Sequence, residues 1–232
     1  MSKRSPMAEK TAGITLDHAA SVYDWLSPMM TMGSERRSNI RAIEKLILSS
    51  GVEMFDCHSL RILDLGCGTG TLTRMISDRL TADSDIIGID AAEKMIEVAN
   101  RKKGDRDNLR FKAALAENLP FNDESFDRAV STFFFHHING ELKAKVLQEM
   151  WRVLRPGGLA VIVDVDVPYN FFGKICVWSG YRLFNQPEIL ENIEGKLREA
   201  LQDSPFETHI DSRYGGYISL FILKKTDEKL DG

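Results

Sequence analysis

Nine residues, Ile62-Leu63-Asp64-Leu65-Gly66-Cys67-Gly68-Thr69-Gly70, constrain this chain more than any other stretch. Residues 61–65 are a short apolar run, the pattern of a parallel strand buried on both faces. Three glycines at alternate positions then make a tight turn. Beyond them Leu72, Met75, Ile76 and Leu80 recur at a helical period. The spacing predicts a strand–turn–helix junction whose backbone amides face a ligand that no side chain crowds. We read it as the floor of a cofactor site.

Spacing narrows the ligand. A dinucleotide-binding turn needs Gly-x-Gly-x-x-Gly. Here the third glycine comes one residue early, and Thr71 stands where the fingerprint needs it. A phosphate-binding loop ends in Gly-Lys-Ser/Thr, which this chain lacks. Asp64 precedes the turn. Its carboxylate would repel a pyrophosphate and would suit a positively charged group, an amine or a sulfonium. The alternative role for Asp64 is to order its own turn.

Elsewhere the sequence mostly excludes. Its 232 residues suffice for one large domain with a sizeable core. A net charge of -4, with both signs interspersed, argues against nucleic acid as the partner. Cys57, Cys67 and Cys176 are widely spaced, which suggests a reducing compartment without a disulfide framework. No stretch is apolar enough to span a bilayer, and residues 1–10 carry no hydrophobic signal core, so the expectation is cytoplasmic. His136 and His137 have no cysteine or carboxylate cluster beside them that would make a metal set, so no metal is expected.

Residues 19–32 crowd Tyr23, Trp25, Leu26 and three methionines, either a helix packed on the body or a lid over the site. Residues 35–49 follow as an amphipathic helix with Ile40, Ile43 and Ile47 in one stripe and Arg36, Arg37 and Arg41 on a solvated face. A second strand over 86–90 ends at Asp90, where a carboxylate commonly grips a ribose diol. A helix over 91–101, strands at 109–113 and 127–132, a helix over 141–154 and a strand at 159–165 complete a strand–helix alternation. It predicts a doubly wound α/β sheet. Residues 168–184 are an aromatic, glycine-containing insertion. Residues 185–201 read as one helix, and 207–213 with 217–224 as an antiparallel hairpin at the sheet edge.

These residues together resemble the class I S-adenosylmethionine-dependent methyltransferases, in the branch that includes quinone-ring and sterol methyltransferases. The likeness rests on the glycine stretch, Asp90, Glu117-Asn118-Leu119-Pro120-Phe121, Phe126-Asp127, His137 and Arg152-Val153-Leu154-Arg155-Pro156-Gly157-Gly158, in that order. It implies a seven-stranded, mostly parallel, Rossmann-like sheet with a C-terminal antiparallel hairpin. It also implies an N-terminal lid over residues 1–50 and a cofactor-binding domain over 51–232. S-adenosylmethionine would be the cofactor. Gly66, Cys67, Gly68 and Gly70 would pass along its methionine and ribose, with Asp64 holding the amino end and Asp90 the ribose hydroxyls. Ala91 and Met95 would lie on the adenine, with Ala116 and Glu117 at its edge. Ser131, Thr132 and Phe133 would line the pocket, and Tyr23 would close over the sulfonium. The branch usually has an acidic residue where this chain has Leu115.

The expected reaction is methyl transfer to a small acceptor, O, N, S or C. His137 and Asp166 are the candidate bases wherever the acceptor must lose a proton. Tyr, Trp, Phe and Met in the lid and in the insertion predict an apolar or aromatic acceptor. The same surface, if exposed, would touch a membrane or form a dimer interface, so monomer and homodimer both stay open. A protein or RNA acceptor, and an inactive S-adenosylmethionine-binding partner protein, are the alternatives.

Overall fold

Ile62, Leu63 and Leu65 are fully buried, and the strand that holds them, β1 (Arg61–Leu65), lies in the interior of the sheet. The computed structural model describes residues 33–48, 59–184 and 187–226. Helix α1 (Ser34–Leu48) precedes β1. Next come α2 (Thr71–Ser77), β2 (Asp85–Asp90), α3 (Glu93–Lys102), β3 (Leu109–Ala113) and β4 (Phe126–Thr132). A 3-10 turn (Phe135–His137) leads into α4 (Gly140–Val153) and β5 (Leu154–Val165). The described chain continues with α5 (Phe171–Phe184), α6 (Pro187–Ile193), α7 (Lys196–Gln202), β6 (Glu207–Tyr214) and β7 (Ile218–Lys224).

The seven strands run in the order β3-β2-β1-β4-β5-β7-β6. The first five are parallel, and β7 is antiparallel to both β5 and β6. This is the expected Rossmann-like sheet with its C-terminal hairpin. The chain leaves β1 toward β2 and β3, then returns to the other side of β1 with β4. A crevice opens beyond the strand ends where the winding reverses, and open α/β sheets bind ligands there.

Period-two alternation divides the core between the two faces of the sheet. Ile62, Ile86, Val130, Val161, Leu220 and Ile222 pack with Ile43 and Leu46 of α1 and Ile76 of α2. Leu63, Ile87, Ala129, Ile162, Phe221 and Leu223 pack with Val146, Leu147 and Met150 of α4 and Leu197 of α7. The Asn139 side chain accepts from the Leu142 amide at 2.9 Å and so caps α4 where its apolar stripe begins.

Three local expectations change. The helix read over 185–201 is two, because Gly195 at φ 101° breaks it before α7. The fifth strand begins earlier, at Leu154, which pairs with Phe126 ahead of a bulge. Arg41 is not part of a merely solvated face. It pairs at 3.0 Å with Asp211, which Lys45 also holds at 2.6 Å. Asp211 is the extra residue where the β6–β7 register slips between Ile210 and Ser212, so the bulge aims a carboxylate at α1. Arg36 and Arg37 are exposed as expected. The readings made for Tyr23, for residues 19–32 and for Cys57 lie outside the described residues.

Candidate functional site

The glycine turn sits between β1 and α2 and is tied to the end of β2. The Cys67 amide donates to the Ile89 carbonyl and the Gly70 amide to the Cys67 carbonyl, both at 2.9 Å. Asp90, the last residue of β2, accepts from the Gly68 amide at 3.0 Å and from the Ala92 amide at 2.8 Å. One carboxylate thus fixes the turn and the entry to α3.

The three glycines do different work. All three have positive φ: 69° at Gly66, 53° at Gly68 and 78° at Gly70. A Cβ at Gly66 would stand 2.6 Å from the Phe134 ring, and one at Gly70 2.4 Å from the Phe111 ring. Those two positions are closed by packing. A Cβ at Gly68 would meet nothing within 4 Å, so the open side of the turn lies there.

That open side gives onto a cleft at the switch point. Asp64, Gly66, Cys67 and Gly68 form its floor. Thr132 and Phe133 bound it from the end of β4, and Glu35 and Asn39 from α1. Phe133 adopts φ 55° while its amide donates to the Val163 carbonyl at 2.8 Å. Left-handed backbone at a bulky residue is strained, and such strain concentrates at functional sites. Ser131 lies behind the wall, fully buried, its hydroxyl donating to the Leu65 carbonyl at 2.9 Å.

The cleft is acidic. Glu35 and Asp64 line it, and no lysine or arginine does so among the described residues. Asp64 accepts from the Thr73 hydroxyl at 2.7 Å. Burial pushes its carboxyl up to about 7, against the pull of that hydrogen bond, and the nearby Asp90 adds to the rise. Asn39 is 3% exposed, and its Oδ1 is buried without a hydrogen-bond partner among the described residues. An unsatisfied buried acceptor is costly, and here it borders a cleft that can admit a donor.

The remaining predicted residues spread over neighbouring ground. Ala91 follows Asp90 directly, and Met95 packs in a small cluster with Ala92 and Val98. Ala116 is part of the core, whereas Glu117 beside it is partly exposed. Leu115 bridges to Asn118.

The two candidate bases lie apart from the turn. His137 ends the 3-10 turn past β4. Its Nδ1 is buried without a partner among the described residues, and burial, then the neighbouring His136, holds its pKa well below the ordinary histidine value. Asp166 is fully buried. Arg198 grips both its oxygens at 2.7 Å, and Ser219 donates at 2.5 Å. That engagement is structural in form.

Sequence reasoning missed three features of this region. Asn39 and Glu35 occupy the cleft-facing side of α1, where only the apolar stripe carried a signal. His136 bonds through Nδ1 to buried Asp164 at 2.7 Å, and Asp164 also accepts from the Phe135 and Val165 amides. The pairing of Arg198 with Asp166 spans 32 residues and left no local trace.

Comparison with known proteins adds to this geometry. Residues 62–158 match a family model described as a methyltransferase domain. A ubiquinone/menaquinone biosynthesis C-methyltransferase of Hahella chejuensis is 31% identical over 173 residues. That match covers 72% of this chain and 66% of the relative, so the chain spans slightly under two thirds of that protein. A demethylmenaquinone methyltransferase of Lactobacillus johnsonii is 29% identical over 232 residues, covering 99% of this chain and 87% of the relative. The crystal structure of a magnesium protoporphyrin IX methyltransferase from Synechocystis, with S-adenosylhomocysteine bound, has the same fold at a TM-score of 0.64. It is 16% identical and covers 85% of this chain and 86% of that one.

Proposed function

We infer that the chain belongs to the class I S-adenosylmethionine-dependent methyltransferase superfamily, and from that premise we propose that it is an enzyme that methylates a small aromatic or apolar acceptor. The supporting observation is the cleft itself: an open glycine turn beside two carboxylates, Asp64 and Glu35, and the Asn39 Oδ1, which has no partner among the described residues, with no lysine or arginine among the described lining residues. A lining with carboxylates and no cationic side chain fits a cofactor that carries an ammonium and a sulfonium, and Gly68 leaves the space for it.

In this reading Gly66, Cys67, Gly68 and Gly70 follow the methionine and ribose, Asp64 and Asn39 hold the amino end, and Asp90 holds the ribose hydroxyls. Ala91, Met95, Ala116 and Glu117 surround the adenine, with Ser131, Thr132 and Phe133 toward the methyl group and Tyr23 above it. The lid over 1–50 and the binding domain over 51–232 belong to the same proposal. When bound, S-adenosylmethionine supplies a methyl group on a positively charged sulfur. The chain's own contribution is alignment and exclusion of water. Where the acceptor must lose a proton, neutral His137 is the base of first choice. Asp166 is the second, and it would have to give up bonds to Arg198 and Ser219.

Relatives named for ubiquinone, menaquinone and demethylmenaquinone methylation support a quinol-type ring as the acceptor. Composition supports a cytoplasmic location, as monomer or homodimer. Calorimetric titration with S-adenosylmethionine tests the cleft, and transfer of a labelled methyl group to a naphthohydroquinone tests the acceptor class. Saturable binding that Asp90→Ala abolishes is the expected result. A chain that ignores the cofactor at millimolar concentration sinks the reading.

A further inference from the structure

Helix α5 presents to solvent what a helix ordinarily buries. Phe171 is 79% exposed, Phe172 55%, Trp178 50% and Ile175 49%. Residues 171, 175 and 178 recur at helical spacing, so these side chains share one outward stripe. The helix is nevertheless firmly seated. The Gly173 amide donates to the Asn170 side chain at 2.7 Å, and a Cβ at Gly173 would stand 2.0 Å from the Gly216 carbonyl oxygen. Helix backbone therefore rests directly on the β6–β7 turn. The Tyr169 amide donates to the Gly216 carbonyl at 2.9 Å, and the Gly216 amide donates to the Tyr169 hydroxyl at 3.0 Å. Val177 is buried on the inner side. The outward stripe is thus held in place by a fixed scaffold.

Charge identifies the occupant. Residues 168–184 contain Lys174 and Arg182 and no acidic residue, in a chain whose net charge is -4. Both basic residues are exposed, and the Arg213 guanidinium lies 5.2 Å above the Tyr169 ring at the helix entrance. We propose that α5 docks this protein on an anionic lipid surface. Phe171, Phe172, Ile175 and Trp178 would enter the acyl boundary, and Lys174 and Arg182 would meet the phosphates. At 14 residues the helix lies in the interface rather than crossing it.

A second copy of the chain fits the stripe less well. The stripe is about 10 Å long at 1.5 Å per residue and one helix, about 10 Å, wide, a face on the order of 100 Å², short of the roughly 800 Å² per partner that stable dimers bury. Self-pairing would also bring two basic helices together, with no carboxylate on this segment to offset them. The inference uses no residue of the cleft, so it stands or falls apart from the methyl-transfer reading.

Sedimentation of the full chain with vesicles tests it. Wild-type protein is expected to sediment with vesicles of phosphatidylcholine and phosphatidylglycerol, and about tenfold less with phosphatidylcholine alone. Phe171→Ser combined with Trp178→Ser is expected to lower binding to both about tenfold or more. Lys174→Glu combined with Arg182→Glu is expected to erase the preference for the anionic lipid. All four sites are exposed, so thermal melting and cofactor titration of the variants should match wild type. Wild type that stays in solution with both vesicles overturns the proposal, as does equal sedimentation of wild type and the aromatic variant. Light scattering that shows a dimer which Phe171→Ser dissociates, without vesicle binding, also overturns it and assigns the face to a second copy.

Discussion

Asp64 is a carboxyl group in a strand whose other buried residues are Ile62, Leu63 and Leu65, bonded to a hydroxyl and raised to about 7 by burial. Its ordinary value is 3.8, so the folded chain binds a proton that the unfolded chain has released between those two pH values. Folding stability therefore falls as pH rises from about 4 to about 7, by on the order of 4 kcal/mol, and is level above. Asp64→Asn removes that cost, and at pH 8 the variant is expected to be about 1–3 kcal/mol more stable in denaturant titration. The same variant should bind S-adenosylmethionine at least about tenfold more weakly, since the charged hydrogen bond it loses is worth about 1.5–3 kcal/mol. Asn39→Ala is the companion test. It removes an acceptor that has no partner among the described residues, so stability should hold or rise slightly. Cofactor affinity should fall about two- to tenfold, the worth of one net hydrogen bond. Asp64 was readable in the sequence because a charge interrupts an apolar strand. Asn39 was not, because a polar residue on an amphipathic helix looks the same whether it meets water or a cleft.

At the scale of elements, the glycine turn separates packing from binding. Gly66→Ala forces a Cβ to within 2.6 Å of Phe134 at positive φ, and is expected to destabilise by about 2–4 kcal/mol in thermal or denaturant unfolding. Gly68→Ala meets only the strain of φ 53°, about 1 kcal/mol, yet it puts a methyl group on the open side and should lose most cofactor affinity. Equal stability losses at the two positions would refute this division. The strands, α4 and the hairpin were legible because continuous apolar runs, helical periods and turn glycines are local signals. The break at Gly195 was misread because a glycine inside a helical period is compatible with either outcome until its φ is fixed by packing. Asp166 shows the other limit. Its place past β5 was readable, but its fixation by Arg198 and Ser219 depends on α7 and β7 folding over it. Arg198→Ala is expected to cost about 1–3 kcal/mol, below the fully buried case because Arg198 is a third exposed. If methyl transfer then collapses while stability and cofactor binding hold, Asp166 acts in the reaction rather than in the fold.

Across the whole molecule, binding and folding are joined through one proton. The cleft lies between α1 and the strand ends, and α1 is held to the distant edge strand by Arg41 and Lys45 on Asp211. A cofactor seated there stabilises everything those contacts connect. At about one hundred times its dissociation constant it should add about 2.7 kcal/mol, which for a chain of this size raises the melting temperature by about 5–10 °C. A cation beside Asp64 favours the ionised carboxylate, so binding expels the proton that burial had kept. Below pH 7 affinity should then fall by up to about tenfold per pH unit. The thermal shift at fixed cofactor concentration should shrink on going from pH 8 to pH 6. In Asp64→Asn that contribution disappears, because no proton at this position remains to be expelled. Differential scanning fluorimetry of both proteins across that range reads the coupling directly. A wild-type shift that grows toward pH 6 would place the titrating group elsewhere.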